Sequence, residues 1–381
     1  MTKQPILQSL RPYINVFDGW LLFSLALVAG AGVLIQYSAS SDFPGRFADV
    51  LRNLFIAFCV MWVVANVTPQ TLMRSAVPIY LIGLLLLVAV ALFGDISKGA
   101  RRWLNIGITR IQPSELMKIA MPLMLAWYFH KREAMMSWWD FIIATIILLV
   151  PTALIAKQPD LGTALLVASA GLYVIYFAGL SWKLIITVLA AIGIGASALI
   201  ISKEKICQPN VEWHVLHDYQ KHRVCTLLDP STDPRGKGFH TIQSTIAIGS
   251  GGVLGKGIRN GTQTHLEFIP ERTTDFIFAV YAEELGLLGI CFLLSFYLLL
   301  IGRGLMIAAN APTMFTRLLA GAITLIFFTY AFVNMGMVSG ILPVVGVPLP
   351  LMSYGGTAFV TLGLGAGMLM SIQRHRKLIQ S

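Results

Sequence analysis

The sequence predicts an all-α polytopic membrane protein. Of its 381 residues, 56% are hydrophobic and only 12% are charged, which is about half the charged share of an ordinary soluble domain. Apolar runs of about 20 residues recur along almost the whole chain, and each is long enough to cross a bilayer as a helix. We therefore interpret residues 1–381 as a single membrane domain with about ten transmembrane helices.

The predicted spans follow the apolar runs in order. They lie at 17–37, 48–67, 76–93, 113–129, 139–156, 161–179, 182–202, 276–301, 316–338 and 355–372. The first run is too long, and its N-terminal flank too weakly basic, for a signal peptide, so we expect it to be a retained span. Two long connections remain: 203–275 between spans seven and eight, and 339–356 between spans nine and ten.

The distribution of Lys and Arg predicts the orientation. An even number of spans places both termini on one side, and the basic residues favour the cytoplasm for that side. The long connections then face the periplasm of a cell with an inner membrane. Connection 339–356 is apolar yet broken by Pro343, Pro348 and Pro350. Such a backbone is tolerated at membrane depth where protein buries it or where it lines a cavity, so we expect a re-entrant wall.

The net charge of +10 does not indicate nucleic-acid binding, because the basic residues are spread through loops rather than gathered in a tail. One outside segment, 94–112, is unusually basic for its side of the membrane. Its cations are Lys98, Arg101, Arg102 and Arg110. Either an anionic ligand or phospholipid headgroups explain positive charge there.

The stretch Gly99–Lys118 carries the first candidate site. Pro113 suits the first turn of the fourth span, and Glu115 and Lys118 share a helix face and can pair. Their pair is either structural or faces a polar cavity that holds a phosphate or a cation. Trp103 is either an interface-belt tryptophan or, beside Arg101 and Arg102, a surface on which a sugar ring packs.

A second candidate lies at Lys157–Ala164. Asp160 is well placed to cap the sixth span, and capping alone is the favoured interpretation. Lys157 and Asp160 nevertheless reach the same outer face as the first cluster. A third stretch, beginning at Ser250, is similar to a phosphate-binding P-loop, but Ser250 and Gly257 occupy positions where that motif needs Gly and Ser or Thr. We reject a nucleotide site.

The fourth candidate precedes the eighth span. Asp275 stands directly before the apolar run, so capping of that helix is the simplest interpretation. Glu271 and Arg272 lie one turn away, and a carboxylate at the mouth of a low-dielectric cavity can gain the raised pKa of a general base. Among the cysteines, Cys207 and Cys225 lie in the outer loop, where an oxidising compartment permits a disulfide.

The motifs GARRWLNIG, QPSELMK, KQPDLGTA, EFIPERTTDFIFAVYAEELGLLG and GILPVVGVPLPLMSYGG together resemble the SEDS family (shape, elongation, division and sporulation) over nearly all ten spans. The phrase GTQTHLEFIPER and the basic end resemble the rod-elongation members more than the division members. The resemblance implies a peptidoglycan glycosyltransferase that polymerises lipid II. It also implies a class B penicillin-binding protein and the elongation machinery as partners.

The resemblance also implies roles for single residues. Asp275 matches the family's essential aspartate, Trp103 its loop tryptophan, and Glu115 and Lys118 its QPSELxK pair. Thr273 departs from the family, which often has His there, so an imidazole is not required at that position.

The expected mechanism has Asp275 accept the proton of an acceptor hydroxyl. The leaving pyrophosphate is stabilised by Arg101, Arg102 and Lys118, or by a divalent cation (Mg²⁺ or Mn²⁺) held by carboxylates. No cofactor is certain. The rival functions are a lipid II flippase, which suits a polytopic architecture equally well, and a non-enzymatic scaffold.

Overall fold

The computed structural model describes residues 16–97, 100–105, 110–202, 207, 211, 218–229, 237–265 and 271–376. The disulfide hypothesised between Cys207 and Cys225 is formed. Long helices cover every predicted span, and three shorter α-helices, one 3₁₀-helix (Glu133–Met135) and three strands lie between them. The elements are α1 (Gly19–Ala39), α2 (Arg46–Ala65), α3 (Pro69–Phe93), β1 (Asp95–Ser97), β2 (Ala100–Asn105), β3 (Arg110–Ile111), α4 (Pro113–Arg132), α5 (Trp138–Lys157), α6 (Leu161–Phe177), α7 (Trp182–Ile201), α8 (Asp218–Leu228), α9 (Lys237–Ser250), α10 (Thr262–His265), α11 (Ile277–Ala309), α12 (Met314–Val338) and α13 (Gly356–His375).

The helical membrane architecture predicted from the sequence is confirmed. Within the described residues, seven helices are by themselves long and apolar enough to cross a membrane: α1, α2, α3, α5, α11, α12 and α13. Helix α6 is shorter, at 17 residues. Helix α4 has a lower mean hydropathy because it carries two charged residues near its start, Glu115 and Lys118, and two at its end, Lys131 and Arg132.

Local sequence explains where several helices begin. Asp18 accepts a 2.9 Å hydrogen bond from the backbone N–H of Leu21 and so caps α1. Thr68 caps α3 ahead of Pro69, and Pro113 occupies the first turn of α4. Proline suits these positions because the first helical N–H groups have no partner inside the helix.

The segment 94–112 contains strands that the sequence analysis did not predict. They form an antiparallel sheet in the order β1–β2–β3, with Asp95 opposite Trp103 and Leu104 opposite Ile111. Short strands of mixed composition show no clear alternation, which explains why the pattern was missed.

Helix α12 lies at the centre of the bundle. Of its most apolar stretch, 78% is buried, against 22% for α2. Helix α2 instead packs against α13 at close range, because Gly363 and Gly367 place the backbone of α13 against the carbonyls of Ala57 and Met61. Small residues permit such close approach between membrane helices.

Helix α11 is broken inside its span. Gly286 has φ 64° and ψ −163°, a conformation that is open essentially to glycine alone. The turn Gly251–Gly257 docks into the break. The N–H groups of Leu287 and Leu288 donate to the carbonyls of Gly252 and Val253 (2.9 and 3.1 Å), and those of Lys256 and Gly257 donate to the carbonyls of Glu283 and Glu284 (3.1 and 2.9 Å). The break is thus satisfied by backbone, as a membrane interior requires.

Replacing Gly286 with alanine is expected to destabilise the protein by at least about 2 kcal/mol, through backbone strain and overpacking. An added Cβ would collide with the backbone nitrogen of Gly255. The measurement is thermal unfolding in detergent. Gly302→Ala is the matched control, since it lies in the same helix with no atom within 4 Å of the added Cβ. Equal unfolding temperatures for both variants would contradict the prediction.

The ends of the helices and the connections meet at one side of the bundle, which we call the loop face. It is defined by Ala39, Arg46, Gln112, Asp160 and Asp275. The connection 339–355 has no helix or strand and crosses this face between α12 and α13. Gln36 of α1 ties it to the 271–276 turn by donating to the carbonyls of both Met352 and Thr273, at 2.8 Å each.

Candidate active site

Asp275 lies in a turn, 271–276, that leads into α11. The helix begins at Ile277, and its N-cap position is occupied by Phe276, with no side-chain capping bond. The interpretation of Asp275 as the helix cap is therefore wrong. The turn is closed by its own backbone, since the N–H of Phe276 donates to the carbonyl of Glu271 at 3.2 Å.

Neighbouring elements fix this turn through its backbone. Asn334 of α12 donates to the carbonyl of Asp275 at 2.8 Å and to that of Val347 at 2.7 Å. Ser353 donates to the carbonyl of Thr274 at 2.6 Å, and the N–H of Tyr354 donates to the carbonyl of Thr273 at 2.8 Å. Because these bonds engage backbone carbonyls, they orient Asp275 without using its carboxylate.

The carboxylate of Asp275 lies against connection 339–355. A Cβ added to Gly346, whose φ is 75°, would come within 3.3 Å of Oδ2 of Asp275. On its other side the same connection contacts α6, because a Cβ on Gly162 would meet the carbonyl of Val345 at 2.8 Å. Val345–Val347 therefore lies between Asp275 and the start of α6, near Asp160.

Arg272 is engaged by the protein itself. Its side chain is 2% exposed, it donates to the carbonyl of Ala39 at 3.1 Å and to that of Thr264, and it pairs with Asp42. These bonds tie the turn to the end of α1 and to α10. Glu271 lies in the same turn, and its Oε2 accepts a 2.9 Å hydrogen bond from Thr274.

Arg46 is a cation that the sequence analysis did not single out. It stands at the start of α2 and donates to Oγ1 of Thr273 at 2.8 Å. Its guanidinium carbon lies 4.3 Å from the ring centroid of Phe43 and 5.1 Å from that of Tyr354. Within the part of the chain that the structure describes, no carboxylate pairs with Arg46. Its positive charge therefore lies beside Thr273, two positions before Asp275 in the chain, and is not neutralised by an acidic side chain. The sequence signal was only a basic residue on the predicted outer side.

Glu115 and Lys118 form the predicted ion pair, at 2.5 Å. Lys118 is 2% exposed and also donates to the hydroxyl of Tyr330 at 2.8 Å, while Thr361 lies 3.3 Å from Oε2 of Glu115. Tyr330 precedes Asn334 by one turn of α12, so the pair lies about one helical turn, roughly 5 Å, below Asp275 along that helix.

Asp160 caps α6, as predicted, by accepting a 3.2 Å hydrogen bond from the N–H of Thr163. Its second oxygen accepts from Gln112 at 2.9 Å, which joins α6 to the start of α4. Lys157 is exposed at the last turn of α5.

The basic strand β2 lies beside Gln158 and Pro159, which link α5 to α6. Arg102 donates to the carbonyls of Gln158 (3.5 Å) and Pro159. Some of its guanidinium N–H groups are therefore already bonded to backbone carbonyls. Trp103 is half-buried on the same strand. The side chain of Arg101, a predicted site residue, lies outside the described part of the chain.

Glu283 and Glu284 are fully buried in the N-terminal half of α11. Glu283 pairs with Lys256 at 2.7 Å and accepts from the N–H groups of Gln263 and Thr264 at 3.0 and 3.4 Å. Glu284 accepts from Ser38 of α1 at 2.5 Å. The P-loop-like stretch at Ser250 thus supplies the partner of Glu283 and fills the break in α11.

An apolar groove of about 460 Å³ opens beside connection 339–355. It is lined by Thr152 of α5, Leu161, Ala164, Leu165 and Ala168 of α6, Val333 of α12, and Leu342, Pro343 and Val345. Because Asp160 directly precedes Leu161 and Gly346 directly follows Val345, one end of the groove lies beside the site. Within the described residues, no three His, Cys, Asp or Glu side chains cluster as metal ligands.

Fold and site together define a multi-pass membrane protein with an aspartate on a hydrogen-bonded turn beside an apolar groove. The FtsW/RodA/SpoVE family model, described as a cell cycle protein, matches residues 14–378. The chain belongs to this family, as the motifs predicted.

Two relatives and two solved structures place the chain within the family. It is 48% identical to peptidoglycan glycosyltransferase MrdB of Escherichia coli K12, over 100% of this chain and 99% of that protein. It is 34% identical to the probable peptidoglycan glycosyltransferase FtsW of Geobacter metallireducens, over 94% of each. A structure described as "Structural coordination of polymerization and crosslinking by a peptidoglycan synthase complex" superposes with TM-score 0.76 at 32% identity, covering 94% of this chain and 98% of the other. Thermus thermophilus RodA superposes with TM-score 0.69 at 27% identity, covering 94% and 97%.

Proposed function

We propose that this protein is a peptidoglycan glycosyltransferase that polymerises lipid II into glycan strands during cell elongation and rod-shape maintenance. The observation that carries the proposal is the position of Asp275: its carboxylate lies beside a groove for a lipid tail, on a turn whose backbone is held from α1, α12 and connection 339–355. The higher identity to MrdB than to FtsW supports the role in elongation.

The substrate class matches the chemistry of the loop face. Lipid II joins an apolar polyprenyl tail to an anionic pyrophosphate and to sugars. The 460 Å³ groove is almost entirely apolar, as a tail requires. In this proposal, the cation of Arg46 and the carboxylate of Asp275 meet the pyrophosphate and the sugars where these emerge from the membrane.

In the proposed reaction, Asp275 accepts the proton of the 4-hydroxyl of the acceptor sugar. The hydroxyl oxygen forms a bond to the anomeric carbon of the donor, and the bond from that carbon to the pyrophosphate oxygen breaks. Undecaprenyl pyrophosphate leaves with the bonding electron pair. Its phosphates already activate the donor, so no nucleotide is needed.

The cation for the leaving group was expected from Arg101, Arg102 and Lys118. Lys118 is buried with Glu115 and Tyr330, and Arg102 donates to two backbone carbonyls. Arg46 has a planar fork of five donors, of which one bond goes to Thr273. We therefore propose that Arg46 makes the main contact with the pyrophosphate. Arg101, Arg102 and Lys118 would then contribute only positive charge near it.

Replacing Arg46 with glutamine is expected to lower kcat/KM for lipid II about 10²-fold, since a donor to developing negative charge is lost. The measurement is glycan strand formation over a range of lipid II concentrations. Arg52→Gln is the matched control, because Arg52 lies on the same helix, is mostly exposed and pairs with Asp49. Equal rates for the two variants would refute the assignment.

A divalent cation, Mg²⁺ or Mn²⁺, remains a prediction. With no cluster of three ligands in the described residues, such a cation would take its ligands from Asp275 and from substrate phosphates, in the manner common for Mg²⁺. Strand formation before and after chelation measures the requirement.

The orientation and the partner complete the proposal. We place both termini in the cytoplasm and the loop face in the periplasm of the inner membrane, on the distribution of Lys and Arg. We also propose a class B penicillin-binding protein as the transpeptidase partner, which the matched structure of a peptidoglycan synthase complex supports. We expect no nucleic-acid partner, because the basic residues are spread through loops rather than gathered in one tail.

The deciding experiment is polymerisation of purified lipid II by the detergent-solubilised protein with its partner. Moenomycin is present to silence enzymes of the other glycosyltransferase class. Glycan strands support the proposal. Their absence in a folded complex would favour a flippase, for which a broken helix such as α11 is typical. Against a flippase, the break at Gly286 is filled by Gly251–Gly257 rather than left to bind an ion.

A further inference from the structure

The hydroxyl of Thr273 fixes the direction of the Arg46 side chain. Nη1 of Arg46 donates to Oγ1 of Thr273 at 2.8 Å, and this is the one hydrogen bond that its guanidinium makes within the described residues. An arginine side chain has many rotamers, and binding a ligand costs the freedom among them. A bond that holds one rotamer before the ligand arrives lowers that cost.

The acceptor of this bond is itself held in place. Thr273 is 1% exposed, and its backbone carbonyl accepts from the side chain of Gln36 in α1 and from the N–H of Tyr354, both at 2.8 Å. Because these two bonds use the backbone, loss of the hydroxyl should leave the turn 271–276 in position. The hydroxyl can therefore be removed without displacing Asp275, which follows in the same turn.

The segment that carries Arg46 is fixed to the same turn by Arg272. This segment, residues 40–46, links α1 to α2. The guanidinium of Arg272 donates through Nε to the carbonyl of Ala39 at 3.1 Å and through Nη2 to the carboxylate of Asp42. The N–H of Arg46 in turn donates to the carbonyl of Phe43 at 3.2 Å. The donor's segment is thus bonded to the residue that directly precedes the acceptor.

The acceptor is neutral, which preserves the charge of Arg46. The guanidinium groups of Arg46 and Arg272 both lie against the ring of Phe43, at 4.3 and 5.1 Å from its centroid. Within the described residues, Arg272 has a carboxylate partner, Asp42, and Arg46 has none. A carboxylate in place of Thr273 would form an ion pair with Arg46, whereas a hydroxyl oxygen accepts the bond and leaves the positive charge for an anionic ligand.

We propose that Thr273 is a positioning residue, whose hydroxyl oxygen directs the guanidinium of Arg46 towards the leaving pyrophosphate without neutralising it. The inference rests on the proposed function, in which Arg46 contacts the pyrophosphate and Asp275 accepts the proton. A donor that is already directed needs no reorganisation when negative charge develops on the leaving group. Its loss should therefore lower kcat/KM.

The test measures glycan strand formation by Thr273 variants, in complex with the partner, over a range of lipid II concentrations. Thr273→Val keeps nearly the same shape but removes the acceptor, and it is expected to lower kcat/KM about three- to tenfold. Thr273→Ser restores the hydroxyl and should recover most of the wild-type value. Thermal unfolding checks the fold of each variant, and Thr273→Ala replaces Thr273→Val if the latter does not fold.

Thr324→Val is the matched control. Thr324 is also buried, and its hydroxyl donates to the carbonyl of Ala320 in its own helix at 2.8 Å. It lies ten residues before Asn334 in α12, which is about 15 Å along the helix axis from the site. This variant should have the kcat/KM of wild type.

The double variant Arg46→Gln/Thr273→Val separates positioning from a merely structural role. If Thr273 acts through Arg46, its replacement should have little further effect once Arg46 is gone, so the double variant should match Arg46→Gln. A structural role would instead lower kcat/KM by the same factor in both backgrounds. That outcome would overturn the inference.

Binding of undecaprenyl pyrophosphate, measured by calorimetry in detergent, supplies a readout independent of strand formation. Thr273→Val should raise Kd about three- to tenfold, and Thr273→Ser should not. Wild-type kcat/KM and Kd in folded Thr273→Val protein would overturn the inference and leave the proposed function intact. If the wild type makes no strands, the proposed function fails, and the Kd values alone decide whether Thr273 positions Arg46. A wild type that neither makes strands nor binds this lipid would overturn both.

Discussion

Replacing Asp275 with asparagine is expected to lower glycan strand formation by about 10²–10⁴-fold, the usual contribution of a general base. Asparagine has nearly the same shape but cannot accept the proton of the acceptor hydroxyl. The turn should keep its structure, because Asn334 bonds to the backbone carbonyl of Asp275 rather than to its carboxylate. The measurement is the rate of strand formation from purified lipid II, with thermal unfolding as the test of folding.

Asp49→Asn is the matched control for this substitution. Asp49 lies in the first turn of α2 near the same face and pairs with Arg52 on the surface, so its loss should leave the rate unchanged. Strand formation by a folded Asp275→Asn protein at the wild-type rate would move the base elsewhere. Glu271 would then be the next candidate, since it lies in the same turn.

Replacing Lys118 with methionine is expected to destabilise the protein by about 3–5 kcal/mol, because one partner of a buried ion pair is lost. Methionine matches the length of the lysine stem, so packing is largely kept. The carboxylate of Glu115 would remain, and the hydroxyl of the fully buried Tyr330 would lose its partner on α4. The measurement is thermal unfolding in detergent relative to wild type.

The double variant Glu115→Gln/Lys118→Met supplies the control. It removes both charges, so its loss of stability should be smaller than that of Lys118→Met alone. A double variant that is less stable than the single one would show that the pair is not the source of the effect. Strand formation by the double variant separates the two interpretations of the pair: it is retained if the pair is structural and lost if Lys118 holds a phosphate.

Local features of this chain were predictable from sequence because their causes are local. The spans follow from apolar runs of membrane length. Pro113 at the start of α4, the cap by Asp160 and the pair of Glu115 with Lys118 each depend on residues within one helical turn. The family was predictable from its motifs, and the match over 14–378 confirms it.

The features that were missed join distant parts of the chain. Arg46 reaches Thr273 across a sequence separation of 227 residues, and Ser38 reaches Glu284 across 246. No periodicity reports such contacts. The alternative interpretation of Asp275 as a helix cap was wrong because the helix begins one residue later than expected, at Ile277. Which side chains contact substrate remains a prediction for every candidate residue.

The turn Gly251–Gly257 docks into the break of α11 and belongs to the long connection 203–275. This docking should restrict changes in length within the turn more than in the rest of the connection. A residue inserted in this turn would shift the carbonyls of Gly252 and Val253 away from Leu287 and Leu288 and leave backbone groups unsatisfied within the membrane. Insertions and deletions among related chains should therefore occur before α9 and be rare from α9 to α10. We therefore expect the length of the glycine turn to be as constrained as that of a transmembrane helix, although the sequence places it in a loop.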